Sequence, residues 1–468
     1  MMPPTPSGSW EPRRARSKRG WAGGGATSSS IATTSCSSEE ATFGRLSAAA
    51  RASSSAAMGK GAPARRTPRV VVAGGGPAGL AAALCAARLG CAVSLLDARP
   101  LPLPGEAPPE EGRTVALLRP AVELLERLGV WARLAPGAAP LRALRIASLA
   151  GDEGEPEAEV LFAAEEFGLP EFGWNLRPGA LRAALCDALR AAGAELVGEA
   201  EVEDVLRRGD RLLVLSARGS FEAELVIGAD GRRSVVRRAL GIPAVVRPTG
   251  RMAIGTSFAH ERPHEGVSIE VHRPGGVFTL VPLPGRRASL VWIEPEPRAR
   301  WLLSLPPDAF RVELERRVRP WLGGVGAIER RDGYALVDLL ANRLAAPGAV
   351  LLGEAAHALS PVGAQGLNTS LRDVAVLAEL LERARARGEP IGSASVVLAY
   401  ERARLPDIRA RFALTRGLAA LAAAELSPLR AARGLGLRIL AAVPALRGAL
   451  VRGLLSPLPW PAPLPAAF

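Results

Sequence analysis

The chain has 468 residues, a formal net charge of +13 and four cysteines. At roughly 150 residues per domain it holds two or three packed units, which excludes a small stapled scaffold. Lys18 and Lys60 are its only lysines; the arginines are mostly interleaved with acids and stacking aromatics are scarce, so no nucleic-acid partner is expected.

Residues 1–66 are rich in Ser, Gly, Ala and Arg, with only Glu11, Glu39 and Glu40 as acids. This composition predicts a disordered leader, read either as an organelle transit peptide or as a stretch upstream of a true start at Met58. Order is expected from Arg69. The run Val70 to Ala73 reads as a buried strand, Pro77 to Leu89 as a helix closed by Gly90, and Ala92 to Leu96 as a second strand ending at Asp97. Together they have the length of a βαβ unit. Helical periodicity returns at Ala121 to Leu128 and Leu181 to Ala191, and strands are expected around Leu212 to Leu215 and Leu225 to Ile227. From Met252 to Ile293, alternating residues and the turns Pro274-Gly275 and Pro284-Gly285 predict an antiparallel layer. Ala349 to Leu352 reads as another strand, and Arg372 onward as mostly helical.

Chemistry is written first at Gly74-x-Gly76-x-x-Gly79. Gly74 permits the tight turn, Gly76 lets the backbone approach a pyrophosphate, and Gly79 lets helix and strand pack closely. The phosphates would sit on the helix N-terminus, and Asp97 is placed to accept hydrogen bonds from a ribose. Two later segments carry further glycine motifs. The first runs Gly228-Ala229-Asp230-Gly231-Arg232-Arg233-Ser234 to Arg237. The second runs Gly353-Glu354-Ala355-Ala356-His357, then Ser360-Pro361-Val362-Gly363-Ala364-Gln365-Gly366-Leu367-Asn368 and Arg372-Asp373. No Cys, His or carboxylate spacing forms a metal site: Cys36, Cys85, Cys91 and Cys186 make no C-x-x-C pair, and His260, His264 and His272 read as structural. His357, inside a tight turn, reads as a packing or backbone-bonded residue.

These three motifs in this order resemble the flavin monooxygenases of the p-hydroxybenzoate hydroxylase class. Gly112-Arg113-Thr114-Val115, Leu125-Glu126-Arg127-Leu128-Gly129-Val130-Trp131, Phe172-Gly173-Trp174-Asn175 and His272-Arg273-Pro274-Gly275-Gly276 narrow the resemblance to the ubiquinone-biosynthesis hydroxylases. It runs from about Val70 to Pro457.

The resemblance implies an α/β fold: a Rossmann-like FAD-binding domain with an inserted antiparallel β-sheet substrate domain and a helical C-terminus. The implied FAD-binding parts are residues 67–175, 176–245 and 336–385, with the β-sheet substrate domain at 246–335 and C-terminal helices at 386–468. It implies FAD held by Gly74, Gly76, Gly79, Asp97, Arg113, Asp230, Gly353 and Glu354. Glu354 departs from the family's usual Asp by one methylene. The stretch Pro361, Gly363, Gln365, Gly366, Leu367 and Asn368 would lie along the isoalloxazine as a loop, its amides favouring negative charge on the reduced ring.

Since the flavin carries oxygen transfer, no catalytic side chain is nominated. NAD(P)H is the implied electron donor, and O2 and a polyprenyl phenol or quinol are the implied substrates. A soluble phenol, or a non-catalytic FAD-binding subunit of a quinone-biosynthesis complex, are the alternatives. The C-terminal stretch after Glu425 lacks acids and is punctuated by Arg430, Arg433, Arg438, Arg447 and Arg452. It suits peripheral contact with an anionic membrane, or a bundle helix packed on the FAD domain. The expected location is cytoplasmic, on the inner face of the membrane, or the mitochondrial matrix if residues 1–66 are a transit peptide.

Overall fold

The computed structural model describes residues 67–106 and 112–455; the leader read at 1–66 lies outside them. The valine run becomes the strand Arg69–Ala73, buried from Val70 onward. Pro77–Arg88 is the following helix, with Pro77 at its first position, where a missing N–H costs nothing. A six-stranded sheet grows on this unit in the order Ala345–Ala346, Ala349–Leu351, Leu225–Gly228, Arg69–Ala73, Ala92–Leu96 and Glu195–Val197. All its pairings are parallel except the hairpin at the first edge. Helix Pro77–Arg88 packs between helices Pro178–Ala191 and Gln365–Ala386, while a three-stranded meander, residues 202–223, contacts the sheet as well. Covered strands of this kind read as continuous apolar runs, which is how they appear in the sequence.

Register positions the site. Leu351, Gly228, Ala73 and Leu96 stand side by side across four neighbouring strands. The segments that follow them, around Gly353, Asp230, Gly74 and Asp97, therefore leave the sheet at one carboxyl edge, where open α/β sheets bind ligands.

The predicted antiparallel layer is a large sheet built on Ala244–His260, Val267–Arg273, Gly276–Leu283, Arg287–Pro295 and Asp332–Ala341. Two features of it depart from the sequence reading. Strand Ala143–Ser148 pairs in parallel with Val267–Arg273 and carries Ala158–Ala163 beyond it, so part of the 67–175 segment belongs to this sheet. Helices Glu296–Ser304 and Pro307–Leu322 lie within the 246–335 span and cover one face, burying Ile254, Phe258, Phe278, Leu290 and Trp292. The other face carries Ala253, Val277 and Ile293, packed with Val291 and Leu336 and against Ala422, the last residue of helix Ala394–Ala422.

Three helices close the chain: Ala394–Ala422, Ser427–Ala442 and Pro444–Leu455. The last two meet at a bend of 104°, and no single helix among the described residues is long and apolar enough to cross a membrane. Leu437 and Val451 pack against Val160, Phe162 and Phe172. Four of the five tail arginines serve this docking. Arg433 is buried and bonds Ser148 Oγ, Ala422 O and Leu149 O; Arg430 bonds Ala150 O, Arg438 bonds Glu157 O, and Arg447 lies 2.7 Å from Glu166.

Candidate functional site

The first glycine turn separates its three residues by task. Gly74 holds φ at +107°, and a Cβ on it would lie 2.2 Å from Ala229 O. Its amide donates to Leu96 O at 2.7 Å. A Cβ on Gly79 would lie 2.0 Å from Gly74 O, so only glycine lets the helix ride this close to the strand. Gly76 is different: beyond its own chain neighbours, nothing comes within 4 Å of where its Cβ would stand. It caps a helix whose first amides have no intrahelical acceptor, and whose positive dipole end faces the same way. The cradle thus fits the pyrophosphate of FAD.

Asp97 is buried, and both its oxygens grip backbone: Oδ2 accepts from Gly75 N at 2.6 Å and Oδ1 from Arg99 N at 2.8 Å. A carboxylate offers about four acceptor directions, so capacity for a ribose hydroxyl remains. Arg182, which the sequence reading did not single out, completes the clamp. Its Nε donates to Gly75 O at 2.9 Å, and its Nη2 lies 3.8 Å from Asp97 Oδ1.

The second turn is shaped by its own acid. Asp230 accepts from Ser234 Oγ at 2.5 Å and from the amides of Val235 and Val236 at 2.7 and 3.1 Å. Its side chain is engaged in capping the short helix Val235–Ala239. Arg237 then ties this turn to the third one, donating to Arg232 O at 2.9 Å and Ala355 O at 2.6 Å. Glu354 projects outward, 59% exposed, with Oε2 3.5 Å from Arg232 Nε. Its carboxylate is solvent-accessible and retains acceptor capacity beside Arg232.

The isoalloxazine segment is not a loop throughout. Helix Gln365–Ala386 begins at Gln365, so Gln365, Gly366, Leu367 and Asn368 form its first turn and the loop is Pro361 to Ala364. The first amides of a helix have no intrahelical acceptor, so they remain available at this loop, and the glycine at 366 disguised the helix start in the sequence. Asn368 locks the junction: Nδ2 donates to Ala364 O at 2.7 Å and Ala116 O at 2.8 Å, and Oδ1 accepts from Leu118 N at 2.8 Å. Gln365 is buried, and its Nε2 donates to Gly363 O at 2.9 Å. The 22-residue helix presents its positive end at this loop.

Arg113 is exposed, its guanidinium 5.2 Å from the centroid of the Tyr334 ring. Tyr334 is registered with Ala253, on the sheet face opposite the covering helices. Thr114 Oγ1 and Ser289 Oγ lie 2.6 Å apart, and Asn175 Nδ2 donates to Pro282 O at 2.8 Å. These bonds tie the large sheet to the strand Val115–Leu118 beside Asn368. An apolar sheet face, a helix N-terminus and the glycine cradle are thereby held on one frame.

The histidines occupy other settings. His260 Nδ1 lies 2.7 Å from Arg262 O, His264 Nε2 2.9 Å from Leu283 O, and His272 Nε2 2.6 Å from Glu270. His357 bonds a carboxylate, Asp373, rather than backbone.

Residues 67–413 match the FAD binding domain family. The chain is 35% identical over 376 residues to ubiquinone hydroxylase UbiL of Rhodospirillum rubrum, covering 79% of this chain and 85% of the relative. It is 32% identical over 376 residues to the 3-demethoxyubiquinol 3-hydroxylase of Escherichia coli, covering 79% and 93%. Among solved structures, p-nitrophenol 4-monooxygenase PnpA from Pseudomonas putida shares the fold with a TM-score of 0.68 at 21% identity, covering 83% of this chain and 98% of that one. HpxO from Klebsiella pneumoniae, complexed with FAD and uric acid, does so with a TM-score of 0.65 at 19% identity, covering 83% and 97%.

Proposed function

The chain belongs to the FAD binding domain family and is an FAD-dependent monooxygenase, and from that premise we propose that it hydroxylates the aromatic ring of a polyprenyl phenol or quinol in ubiquinone biosynthesis. The electron donor is NAD(P)H, and one atom of O2 enters the product. The observation that carries the substrate reading is the 35% identity to UbiL, sustained over 79% of the chain.

Bound FAD supplies the redox and oxygen chemistry. The protein's own part is binding, orientation and exclusion of water. The amides that follow Gly76 hold the pyrophosphate, Asp97 the ribose, and Glu354 a hydroxyl of the ribityl chain. The amides around Ala364 and the N-terminus of helix Gln365–Ala386 favour negative charge at the ring end. The sheet face of Ala253, Val277 and Ile293 supplies an apolar, dry wall for an aromatic substrate.

A polyprenyl tail is met at a bilayer. In our reading the contact is made by the exposed residues Leu429, Leu435, Ile439 and Leu446 on the last two helices, with Leu426 and Val443 at the helix ends. The tail arginines contribute little to it, because most are engaged in docking onto Ala143–Ser148, Ala158–Ala163 and their flanks. The location that goes with this reading is cytoplasmic and peripheral on the inner face of the membrane, or the mitochondrial matrix if residues 1–66 are a transit peptide.

The test is to delete the gene and profile the quinone intermediates. Accumulation of a prenylated ring lacking one hydroxyl, relieved by the wild-type gene, is the expected result and names the ring position. An unchanged quinone profile, with turnover of a soluble phenol by the purified protein, would replace the substrate reading.

A further inference from the structure

Helix Ala394–Ala422 buries an unusual face. Tyr400, Arg404, Asp407, Arg411 and Thr415 recur at steps of three and four, and none is more than 6% exposed. Buried charges are costly, and apolar side chains of similar volume often stabilise as much or more. The face therefore calls for a role beyond packing.

The contacts form one continuous string. Gly353 N donates to Asp373 Oδ2 at 3.2 Å, and His357 Nε2 lies 2.7 Å from the same oxygen. Arg404 Nε donates to Asp373 Oδ1 at 2.8 Å, and Arg404 Nη1 to Asp407 Oδ2 at 2.5 Å. Arg411 Nε donates to Asp407 Oδ1 at 3.1 Å, and Arg411 Nη1 donates to Gln365 Oε1. Gln365 Nε2 in turn holds Gly363 O at 2.9 Å. Tyr400 adds a second tie at the near end, its hydroxyl donating to Leu351 O at 2.9 Å. Burial alone would raise the pKa of Asp373, but His357 and Arg404 outweigh it and hold the carboxyl below the usual range. For Asp407 the same opposition is settled by Arg404 and Arg411. Both carboxylates are therefore ionised, and the string keeps its charge-assisted bonds.

Its two ends are the Gly353 turn and the Gly363-Ala364 loop. We propose that this string is a positioning device for the reduced flavin. Arg411, oriented by Asp407, fixes the Gln365 side chain. Gln365 fixes the carbonyl of Gly363 and with it the orientation of the loop amides. Arg404, Asp407 and Arg411 are positioning residues: each acts through Gln365 or Asp373. Correctly aimed amides favour the more negative, reduced flavin over the oxidised one. The inference rests on the FAD reading of the site.

The experiment uses full-length holoenzyme and three variants: Arg411→Met, Gln365→Leu and the double variant. The readouts are the midpoint potential of bound FAD by dye equilibration, the dissociation constant of oxidised FAD, and circular dichroism as a check of folding. Each single variant should lose about tenfold in preference for reduced over oxidised flavin, about 30 mV downward in potential. Binding of oxidised FAD should change far less. The double variant should show no further shift, because both changes break the same link. Arg411→Lys, which keeps a donor, should recover part of the potential. If Arg411→Met does not fold, Gln365→Leu and Gln365→Glu decide: Glu keeps the acceptor for Arg411 but loses the donor to Gly363 O, so both should lower the potential, and an unchanged potential in both would overturn the proposal. Unchanged potentials, or shifts that add in the double variant, would overturn the proposal. A wild-type protein that binds no FAD would instead overturn the site reading beneath it.

Discussion

Asp97 Oδ2 accepts the amide of Gly75 at 2.6 Å, so the acid at the end of the second strand holds the glycine turn from beneath. Beyond its expected task toward the ribose, Asp97 thus has a second one toward the cradle itself. Asp97→Ala removes both. Losing a charge-assisted hydrogen bond costs about 1.5–3 kcal/mol, so FAD affinity should fall roughly ten- to hundredfold. Asp97→Asn keeps an oxygen for Gly75 and should lose less. Fluorescence titration of the apoprotein measures both; equal affinities in all three proteins would remove Asp97 from the site.

Two glycines of one motif should fail in different ways. At Gly76 a Cβ meets nothing within 4 Å beyond its own chain neighbours, so Gly76→Val should fold with little change in melting temperature and lose FAD. At Gly79 a Cβ meets Gly74 O at 2.0 Å, so Gly79→Val should destabilise the apoprotein. Overpacking of this kind costs about 1–3 kcal/mol or more. Thermal melts of the apoproteins beside FAD titrations separate the two. Full FAD occupancy in Gly76→Val would count against a phosphate cradle.

How much of this site was legible follows from how locally each part is encoded. The three glycine turns lie within a few residues of the strands that aim them, and a valine run, a Pro and an acid at the strand end can be read together. The string from Gly353 to Gln365 cannot be read so. Its members come from the Gly353 turn, helix Gln365–Ala386 and helix Ala394–Ala422, and only the docking of those helices brings Arg411 to Gln365. The available signal was the spacing of Arg404, Asp407 and Arg411 on one helical face, which also describes an ordinary solvated surface. Strand Ala143–Ser148 was missed for a related reason: joining the large sheet depends on a parallel pairing with Val267–Arg273, far along the chain.

Ala364 holds φ at +55° without being glycine. An L-residue there pays about 1–2 kcal/mol, offset in a glycine variant by roughly 0.4–1 kcal/mol of extra unfolded-chain freedom. Ala364→Gly should therefore leave stability unchanged or raise it by up to about 1.6 kcal/mol. Ala410→Gly, on the exposed side of helix Ala394–Ala422, should lower it by about 1 kcal/mol. Urea unfolding of the two variants gives the comparison. A loss at Ala364 as large as that at Ala410 would mean that its side chain contributes more than its backbone costs.

The buried carboxylates set an acid limit. Asp373 and Asp407 have folded pKa values below the ordinary range, so below an unfolded value of about 3.9 the unfolded chain takes up protons more readily than the folded one. Their contribution is present above that pH and is lost as pH falls through the folded values. The unfolding midpoint in urea should be level near neutrality and drop steeply below about pH 4. Asp407→Asn should be less stable at neutral pH and show a shallower acid limb. An acid limb as steep as the wild type's would assign the loss to other carboxylates.

The membrane contact has a test that the docked arginines reshape. Removing everything after Glu425 would uncover Val160, Phe162 and Phe172, so truncation confounds binding with folding. Leu435 and Ile439 are exposed and lie four apart on one helix face, so Leu435→Glu with Ile439→Glu leaves that core intact. With Arg433 buried and Arg430, Arg438 and Arg447 bonded to the protein, attachment should depend on apolar insertion more than on charge. Burying one such side chain is worth about 1.5–3 kcal/mol, so the double variant should bind vesicles of anionic phospholipid at least about tenfold more weakly. The wild type should stay largely bound when salt is raised, since screening acts on charges and not on buried methyl groups. Full release by salt would return the contact to the arginines. Equal sedimentation of both proteins would move it off these helices, and sedimentation of neither would favour delivery of the substrate by a partner.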